Sequence, residues 1–327
     1  MIRPARTVFL GSGGFGVPTG AMLAHHPRVE LAGVVTAPDR TVGRSRSAGG
    51  SPVGRWAVDA GIATLTPARL RDPDAVARVA ELQPELIVLA DYGQIVPRRL
   101  LELPRHGALN LHPSLLPRHR GASPIPATIL AGDAETGVSL MLMDAGLDTG
   151  PLIAQLVLPL DGTETAPELE ERLAGLAAGL LADRLEPWLN GELVQVEQPP
   201  QGATLTRQLR RADGRLDPRR SAVELERKVR AYQPWPGSFV DTPFGRIIIW
   251  RARSAAPAAR PTPGTLVAQP AEGGGQGLAL ATADGLLELL ELQPAGSRRM
   301  TAAEVLRGRP RLAGASVEVA PEAGSEQ

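Results

Sequence analysis

An amide, an imidazole and a carboxylate come together in the run Asn110-Leu111-His112-Pro113-Ser114-Leu115-Leu116-Pro117 and the downstream Leu147-Asp148-Thr149-Gly150. These are the groups an acyl-transfer site uses. An amide donor holds a carbonyl oxygen, an imidazole donates to the oxyanion that develops there, and a carboxylate orients the imidazole or moves a proton. Asp144 is the rival acid, four residues before Asp148. It follows the apolar stretch Val138–Met143 directly, where a turn or cap residue is expected. On residue types alone either acid could serve.

The elements that must position these groups alternate in type. Thr7–Leu10, Leu31–Thr36, Leu86–Ala90, Ala108–Leu111 and Val138–Met143 are short apolar runs, as in buried strands. Ala57–Ala60, Pro73–Leu82, Pro97–Leu103 and the long stretch Gly162–Trp188 have helical character. Such alternation predicts an α/β architecture, an N-terminal doubly wound, mostly parallel, Rossmann-like sheet. Residues 190–206, rich in Gln, Pro and Gly, read as a linker. Beyond them, Val223–Ala231 predicts a helix. Short β-like segments follow at Ser238–Thr242, Arg246–Arg253, Gly264–Ala268, Leu278–Thr282 and Leu286–Leu292, a pattern that suits a small β domain. Residues 255–263 and 270–277 read as loops. The domains expected are 1–189, catalytic; 190–206, linker; 207–313, a second domain; and 314–327, a flexible tail.

Composition narrows the function. The 327 residues suit two domains, and 43% of them are hydrophobic, enough for sizeable cores. With no cysteine, thiol nucleophiles, disulfides and zinc–thiolate sites are excluded. The remaining histidines, His25, His26, His106 and His119, lack ligand spacing, so no metal is expected. No apolar run has the length of a membrane span and Met1-Ile2-Arg3-Pro4 does not begin a signal peptide, so a cytoplasmic protein with no membrane partner is expected. Formal net charge is zero, yet charge is segregated: residues 207–230 carry eight arginines and one lysine against four acids. Such a segment attracts phosphates, although a solvated helix face would have the same composition.

Gly11-Ser12-Gly13-Gly14-Phe15-Gly16 fits G-x-G-x-x-G after a strand, the pattern of dinucleotide-binding turns. The second strand, however, ends Val34-Val35-Thr36-Ala37-Pro38 with no acid at its tip, and Pro18 sits just inside the following helix. A tight strand-to-helix turn requires glycine in any case. No dinucleotide is expected.

The runs Asn110-Leu111-His112, Ser114-Leu115-Leu116-Pro117 and Met143-Asp144-Ala145-Gly146-Leu147-Asp148-Thr149-Gly150 together resemble the core motif of the 10-formyltetrahydrofolate-dependent formyltransferases. The resemblance is strongest to the members acting on methionyl-tRNA and extends over nearly the whole chain, to about residue 310. It implies that the second domain is OB-like, a small β-barrel that binds tRNA. It implies formyl transfer from 10-formyltetrahydrofolate, as formyl-donor co-substrate, to the amine of methionyl-initiator tRNA. Asn110 and His112 would stabilise a tetrahedral intermediate, with Asp148 rather than Asp144 assisting. Folate contacts would fall to Tyr92, Gly93, Gln94 and Ile95 and to Ser114, Leu115, Leu116 and Pro117, segments that follow strands on the ligand-binding edge of an open sheet.

On the acceptor side the resemblance implies tRNA contacts from Arg40, Arg44 and Arg46 in the loop after the second strand, and from Arg207, Arg210 and Arg211. Ser45, Ser47 and Gln208 depart from the basic or glycine residues common there. No obligate protein partner is evident. A formyltransferase for an amino-sugar nucleotide shares the core motif and can carry a second domain. The arginine clusters favour tRNA over it.

Overall fold

The computed structural model describes residues 3–38, 50–256, 261–271 and 275–319. The chain divides into two compact units, one of Met1–Ile125, Ala134–Leu160 and Glu168–Gln208, the other of Pro126–Asp133, Asp161–Pro167 and Leu209–Gln327.

The first unit is built on strands β1 (Ala5–Gly11), β2 (Val29–Val35), β3 (Thr64–Leu65), β4 (Leu86–Ala90), β5 (Ala108–His112), β7 (Glu135–Leu142) and β8 (Leu152–Pro159), with a short β6 (Arg120–Gly121) and β9 (Leu205–Thr206) paired apart from the main sheet. Helices α1 (Gly16–His25), α2 (Pro52–Asp59), α3 (Pro73–Glu81) and α4 (Arg98–Leu101) connect the first five strands, and α5 (Pro124–Ala131) precedes β7 in the chain. Strand order is β3-β2-β1-β4-β5-β7-β8, parallel through β5 and antiparallel at β7 and β8. All five residues of β4 are buried, as a central strand covered on both faces demands. The order reverses between β1 and β4, where open α/β sheets leave a crevice at their carboxyl edge. The glycine pattern serves this junction. A Cβ on Gly11 or Gly16 would stand 2.9 or 2.7 Å from the carbonyl oxygen of Ala90, so glycine lets β1 and α1 approach the end of β4.

Edge strand β8 was not expected from sequence. Its apolar residues run without alternation, and Val157, 56% exposed, sits among inward neighbours and hides the period. Helix α6 (Ala166–Leu189) starts later than Gly162 because Gly162 has φ +85° and the Glu164 carboxylate accepts the N–H groups of Asp161 and Gly162, which makes a turn there. Residues 190–206, expected as a linker, lie against the first unit: Val196 pairs with Leu152, and Leu205–Thr206 with Arg120–Gly121.

In the second unit, β10 (Ser238–Thr242), β11 (Gly245–Ala255), β12 (Leu266–Pro270), β13 (Gln276–Ala281) and β14 (Leu286–Pro294) form an antiparallel sheet in the order β10-β11-β14-β13-β12, with β15 (Met300–Thr301) beside β14. Two register shifts bend the long β11 against β14. Helices α7 (Ala222–Ala231) and α8 (Ala302–Gly308) both begin with capping boxes, Ser221/Glu224 and Thr301/Glu304. Leu225 and Val229, one helical turn apart on α7, enter the core with Ile247, Ile249, Leu287 and Leu289. The expected tail is anchored where it is described: Gly314 and Val317 donate to the carbonyls of Leu266 and Gly264. The two expected loops lie partly outside the described residues.

Gly137 of β7 faces the β8 backbone so closely that a Cβ would fall 2.0 Å from the Leu156 carbonyl oxygen. Gly137→Ala is therefore expected to lower the unfolding free energy by about 1–3 kcal/mol, read as a lower urea midpoint at unchanged m-value. An unchanged midpoint would mean that the β7–β8 ladder yields without cost.

Candidate active site

Asn110 and His112 are two residues apart on β5 and so project from one face of the strand. The β7–β8 connection folds across that face. Asp148, in the left-handed region at φ +54°, turns its carboxylate inward: Oδ1 accepts from Asn110 Nδ2 at 3.3 Å and Oδ2 from the main-chain N–H of Gly121 at 2.7 Å. His112 Nδ1 stands 3.7 Å from Asp148 Oδ2, too far for a hydrogen bond but close enough for charge to act. Its Nε2 lies 3.0 Å from the carbonyl oxygen of His119. A carbonyl oxygen only accepts, so Nε2 carries a proton and Nδ1 is the nitrogen that can take or give one toward Asp148. Asp144 has a separate task. Its carboxylate accepts from the Gly146 N–H at 3.0 Å and from Thr149 Oγ1 at 2.8 Å, which closes the loop that presents Asp148.

Several residues that hold this geometry were not visible in the sequence. Gln198, inside the expected linker, donates through Nε2 to the carbonyls of Asp148 at 2.9 Å and Gly150 at 2.7 Å. Thr204 Oγ1 accepts from the His119 N–H at 2.8 Å, while β9 pairs with the strand that contains Gly121. Buried Ser139 donates to the Ser114 carbonyl and accepts the Leu116 N–H, and Gln155 donates to the Leu116 carbonyl. Single polar residues scattered over loops and strands carry no period of their own, and only the tertiary fold shows what they reach.

The residues expected at folate separate into two groups. Ser114 and Leu116 are buried; Ser114 Oγ donates to the Arg118 carbonyl, and both main-chain groups of Leu116 are engaged. That leaves Leu115 and Pro117, both partly accessible, as the members of this run with surface to offer. Tyr92 packs into the core between β1, β4 and α3, with its buried hydroxyl unpartnered among the described residues. Gly93, Gln94 and Ile95 line a cavity of about 800 Å³ that also touches Ser12, Gly13 and Asp91. Gln94 is a staple there: Oε1 accepts the Leu70 N–H at 2.7 Å and Nε2 donates to the Pro67 carbonyl at 3.1 Å. Ile95 is 82% exposed, free to meet an apolar ligand.

Two acids flank the glycine turn beside that cavity. Desolvation pushes the Asp91 carboxyl above its ordinary range. Glu170 is raised by burial first and by the charge of Asp91 second, against the opposing hydrogen bond from the Phe15 N–H.

Arg40, Arg44 and Arg46 lie outside the described residues. Arg207, Arg210 and Arg211 are exposed. The rest of the arginine-rich segment is largely engaged within its unit: Arg215 pairs with Asp241 at 2.6 Å, Arg219 with Asp217 at 2.8 Å, and Arg230 of α7 donates to the Glu164 carbonyl at 2.8 Å. Among the described residues no group of three His, Asp or Glu side chains could hold a metal ion, and no helix is long and apolar enough to cross a membrane.

A mostly parallel sheet with an amide and an imidazole on β5, and a carboxylate brought beside them by the β7–β8 connection, has the architecture of an α/β enzyme and the groups an acyl-transfer site uses. The family model "Formyl transferase" matches residues 6–185, and "Formyl transferase, C-terminal domain" matches 208–310. The methionyl-tRNA formyltransferase of Myxococcus xanthus is 41% identical over 98% of this chain and all of its own, and that of Roseiflexus sp. is 43% identical over 93% of each. Among solved structures, an N-formyltransferase from Helicobacter canadensis in complex with folinic acid and dTDP-3-aminofucose shares the fold at TM-score 0.62 and 16% identity, over 90% of this chain and 100% of that one. HypX from Aquifex aeolicus in complex with tetrahydrofolic acid does so at TM-score 0.62 and 17% identity, over 92% of this chain and 47% of its own. The chain belongs to the formyl transferase family, and within it to the methionyl-tRNA formyltransferases.

Two measurements test the architecture of the site. Gln198→Ala frees two carbonyls of the Asp148 loop and is expected to lower kcat by about tenfold, with the unfolding midpoint shifted by no more than a loop hydrogen bond implies, about 1 kcal/mol; full activity would show that the loop holds its shape without Gln198. Burial pushes the Tyr92 hydroxyl from its ordinary 10.0 up to about 12. Its neutral form is thus favoured by folding, so the stability it contributes is present below pH 10 and is lost as pH rises from 10 toward 12. Tyr92→Phe should flatten that alkaline loss and leave formyl transfer unchanged. A fall in activity would instead place the hydroxyl at a ligand.

Proposed function

We propose that this protein transfers the formyl group of 10-formyltetrahydrofolate to the free amino group of methionyl-initiator tRNA. The observation that carries the reading is the convergence of Asn110, His112 and Asp148 on one face of β5. A formyl group carried on the folate nitrogen supplies an acyl carbon already activated for attack. The neutral amine forms the new C–N bond, and charge develops on the formyl oxygen.

Asn110 has one amide hydrogen directed at Asp148 and a second left for that oxygen. His112 with Nε2 committed to the His119 carbonyl meets the reacting atoms through Nδ1, as N–H donor when protonated. Asp148, its oxygens held by Asn110 and Gly121, lies close enough to pass on the proton that leaves the amine. The C–N bond to folate then breaks, and its nitrogen receives a proton. Leu115, Pro117 and Ile95 remain as the apolar and loop surfaces for the folate. Arg207, Arg210 and Arg211, exposed at the entry to the second unit, suit tRNA phosphates.

The test is formyl transfer from 10-formyltetrahydrofolate to Met-charged initiator tRNA, with an amino-sugar nucleotide run in parallel. Formylated Met-tRNA alone is expected. Product from the sugar alone would overturn the acceptor, and no product from either would overturn the chemistry. Asn110→Ala and His112→Ala should each lower kcat by about 10²–10³ without loss of fold, the range for removal of one oxyanion donor. Near-normal turnover in either variant would remove that residue from the site.

A further inference from the structure

Two peptide planes meet at His119, and one residue of the segment ahead of β9 holds both. The His119 carbonyl, which accepts from His112 Nε2 at 3.0 Å, shares a rigid plane with the Arg120 N–H. That N–H donates to the Thr204 carbonyl oxygen at 2.9 Å. The preceding plane ends in the His119 N–H, which donates to Thr204 Oγ1 at 2.8 Å. Thr204 also donates its own N–H to the Pro117 carbonyl at 3.3 Å. Its main-chain donor, its main-chain acceptor and its hydroxyl are thus all directed at residues 117–120.

His119 needs that hold, because it occupies the left-handed region at φ +57°. A residue with a Cβ stays there only while its surroundings enforce it. With one of the two planes released, the backbone relaxes and the carbonyl turns off the imidazole. The direction of that carbonyl decides the ring. While it faces Nε2, that nitrogen keeps its hydrogen and Nδ1 is left toward Asp148 Oδ2, 3.7 Å away. Were the plane turned over, the Arg120 N–H would meet Nε2 as a donor, and the hydrogen of the neutral ring would move to Nδ1. The bonds run in one sense, from the Nε2–H to the His119 carbonyl and from the Arg120 N–H to the Thr204 carbonyl, so each polarises the next.

We propose that Thr204 is a positioning residue for formyl transfer: its hydroxyl, acting through the main chain of His119, sets which ring nitrogen of His112 faces the reacting atoms. The assignment rests on the formyl-transfer reading above. Thr204 and Gln198 divide the task. Gln198 holds the carbonyls of the loop that presents the acid, and Thr204 holds the carbonyl that orients the imidazole. Thr204 is itself exposed, so a substitution there removes a hydrogen bond without opening a cavity in the core. Its two main-chain bonds survive any such change, which isolates the hydroxyl as the group under test.

The experiment compares the wild-type protein with Thr204→Val and Thr204→Ser. Valine keeps the branched shape and sets a methyl against the His119 N–H, where water would otherwise replace the hydroxyl; serine restores the oxygen. Thr204→Val is expected to lower kcat by about tenfold, the rate equivalent of one hydrogen bond. KM for 10-formyltetrahydrofolate and for Met-charged initiator tRNA should stay unchanged, and Thr204→Ser should recover most of the loss. The second readout is the ring of His112 in protein labelled with ¹⁵N-histidine, assigned among the five histidines by its absence from His112→Ala. The neutral ring should be protonated at Nε2 alone in wild type and Thr204→Ser, and should show a mixture of both tautomers in Thr204→Val. Wild-type kcat in Thr204→Val overturns the assignment. So does a lowered kcat with the ring still protonated at Nε2 alone, which marks damage of another kind. Wild-type protein that formylates no acceptor removes the formyl-transfer reading, and the tautomer comparison then decides by itself whether Thr204 sets the ring.

Discussion

The carboxylate of Asp148 is the constraint on which the site depends. It is pinned by the amide of Asn110 and by the main-chain N–H of Gly121, and it reaches them only because residue 148 occupies the left-handed region. A non-glycine residue there carries local strain, which persists when surrounding contacts over-determine it. Asp144 and Thr149 close the loop from one side, and Gln198 ties its carbonyls from the other. Gly121 is fixed in turn by pairing with Thr206. The segment 198–206 is thereby part of the scaffold that holds Asp148, although it lies far along the chain from β5.

The imidazole is governed by the same economy of partners. With Nε2 donating to a main-chain carbonyl, His112 has one tautomer in its neutral form, and Nδ1 faces the acid. Ser139, Ser114 and Gln155 hold the run that follows His112 through three hydrogen bonds beneath Leu116. The run is therefore rigid where its polar groups are buried, and only Leu115 and Pro117 retain accessible surface. Rigidity of this kind is what electrostatic stabilisation of a transition state requires, since donors already in place need no reorganisation.

Legibility in the sequence followed period and motif. Strands β1, β2, β4, β5 and β7 were readable because buried strands are short apolar runs, and the five strands of the second unit because turns rich in Gly and Pro separate them. The glycine run has a packing task in the fold: Gly11 and Gly16 leave room for the Ala90 carbonyl. Tyr92, Ser114 and Leu116 show the limit. Each stands in a segment at the ligand edge, yet which way a loop side chain points is set by packing that no local pattern records. The arginines show it again: composition marks 207–230 as basic, while Arg215, Arg219 and Arg230 are engaged within the fold.

What the sequence determined by itself was the buried strands β1, β2, β4, β5 and β7, the strands of the second unit, and the candidates Asn110, His112 and Asp148, because each is written in a short stretch with its own period or spacing. Only the tertiary structure decided which acid faces Asn110 and His112, which imidazole nitrogen is turned toward it, and where the cavity opens. Those depend on contacts across long sequence separations: Gln198 with the Asp148 loop, His119 with His112, Asp91 with Gly13. The direction of a side chain in a loop is fixed by the partners the fold brings to it, and a linear pattern does not contain them.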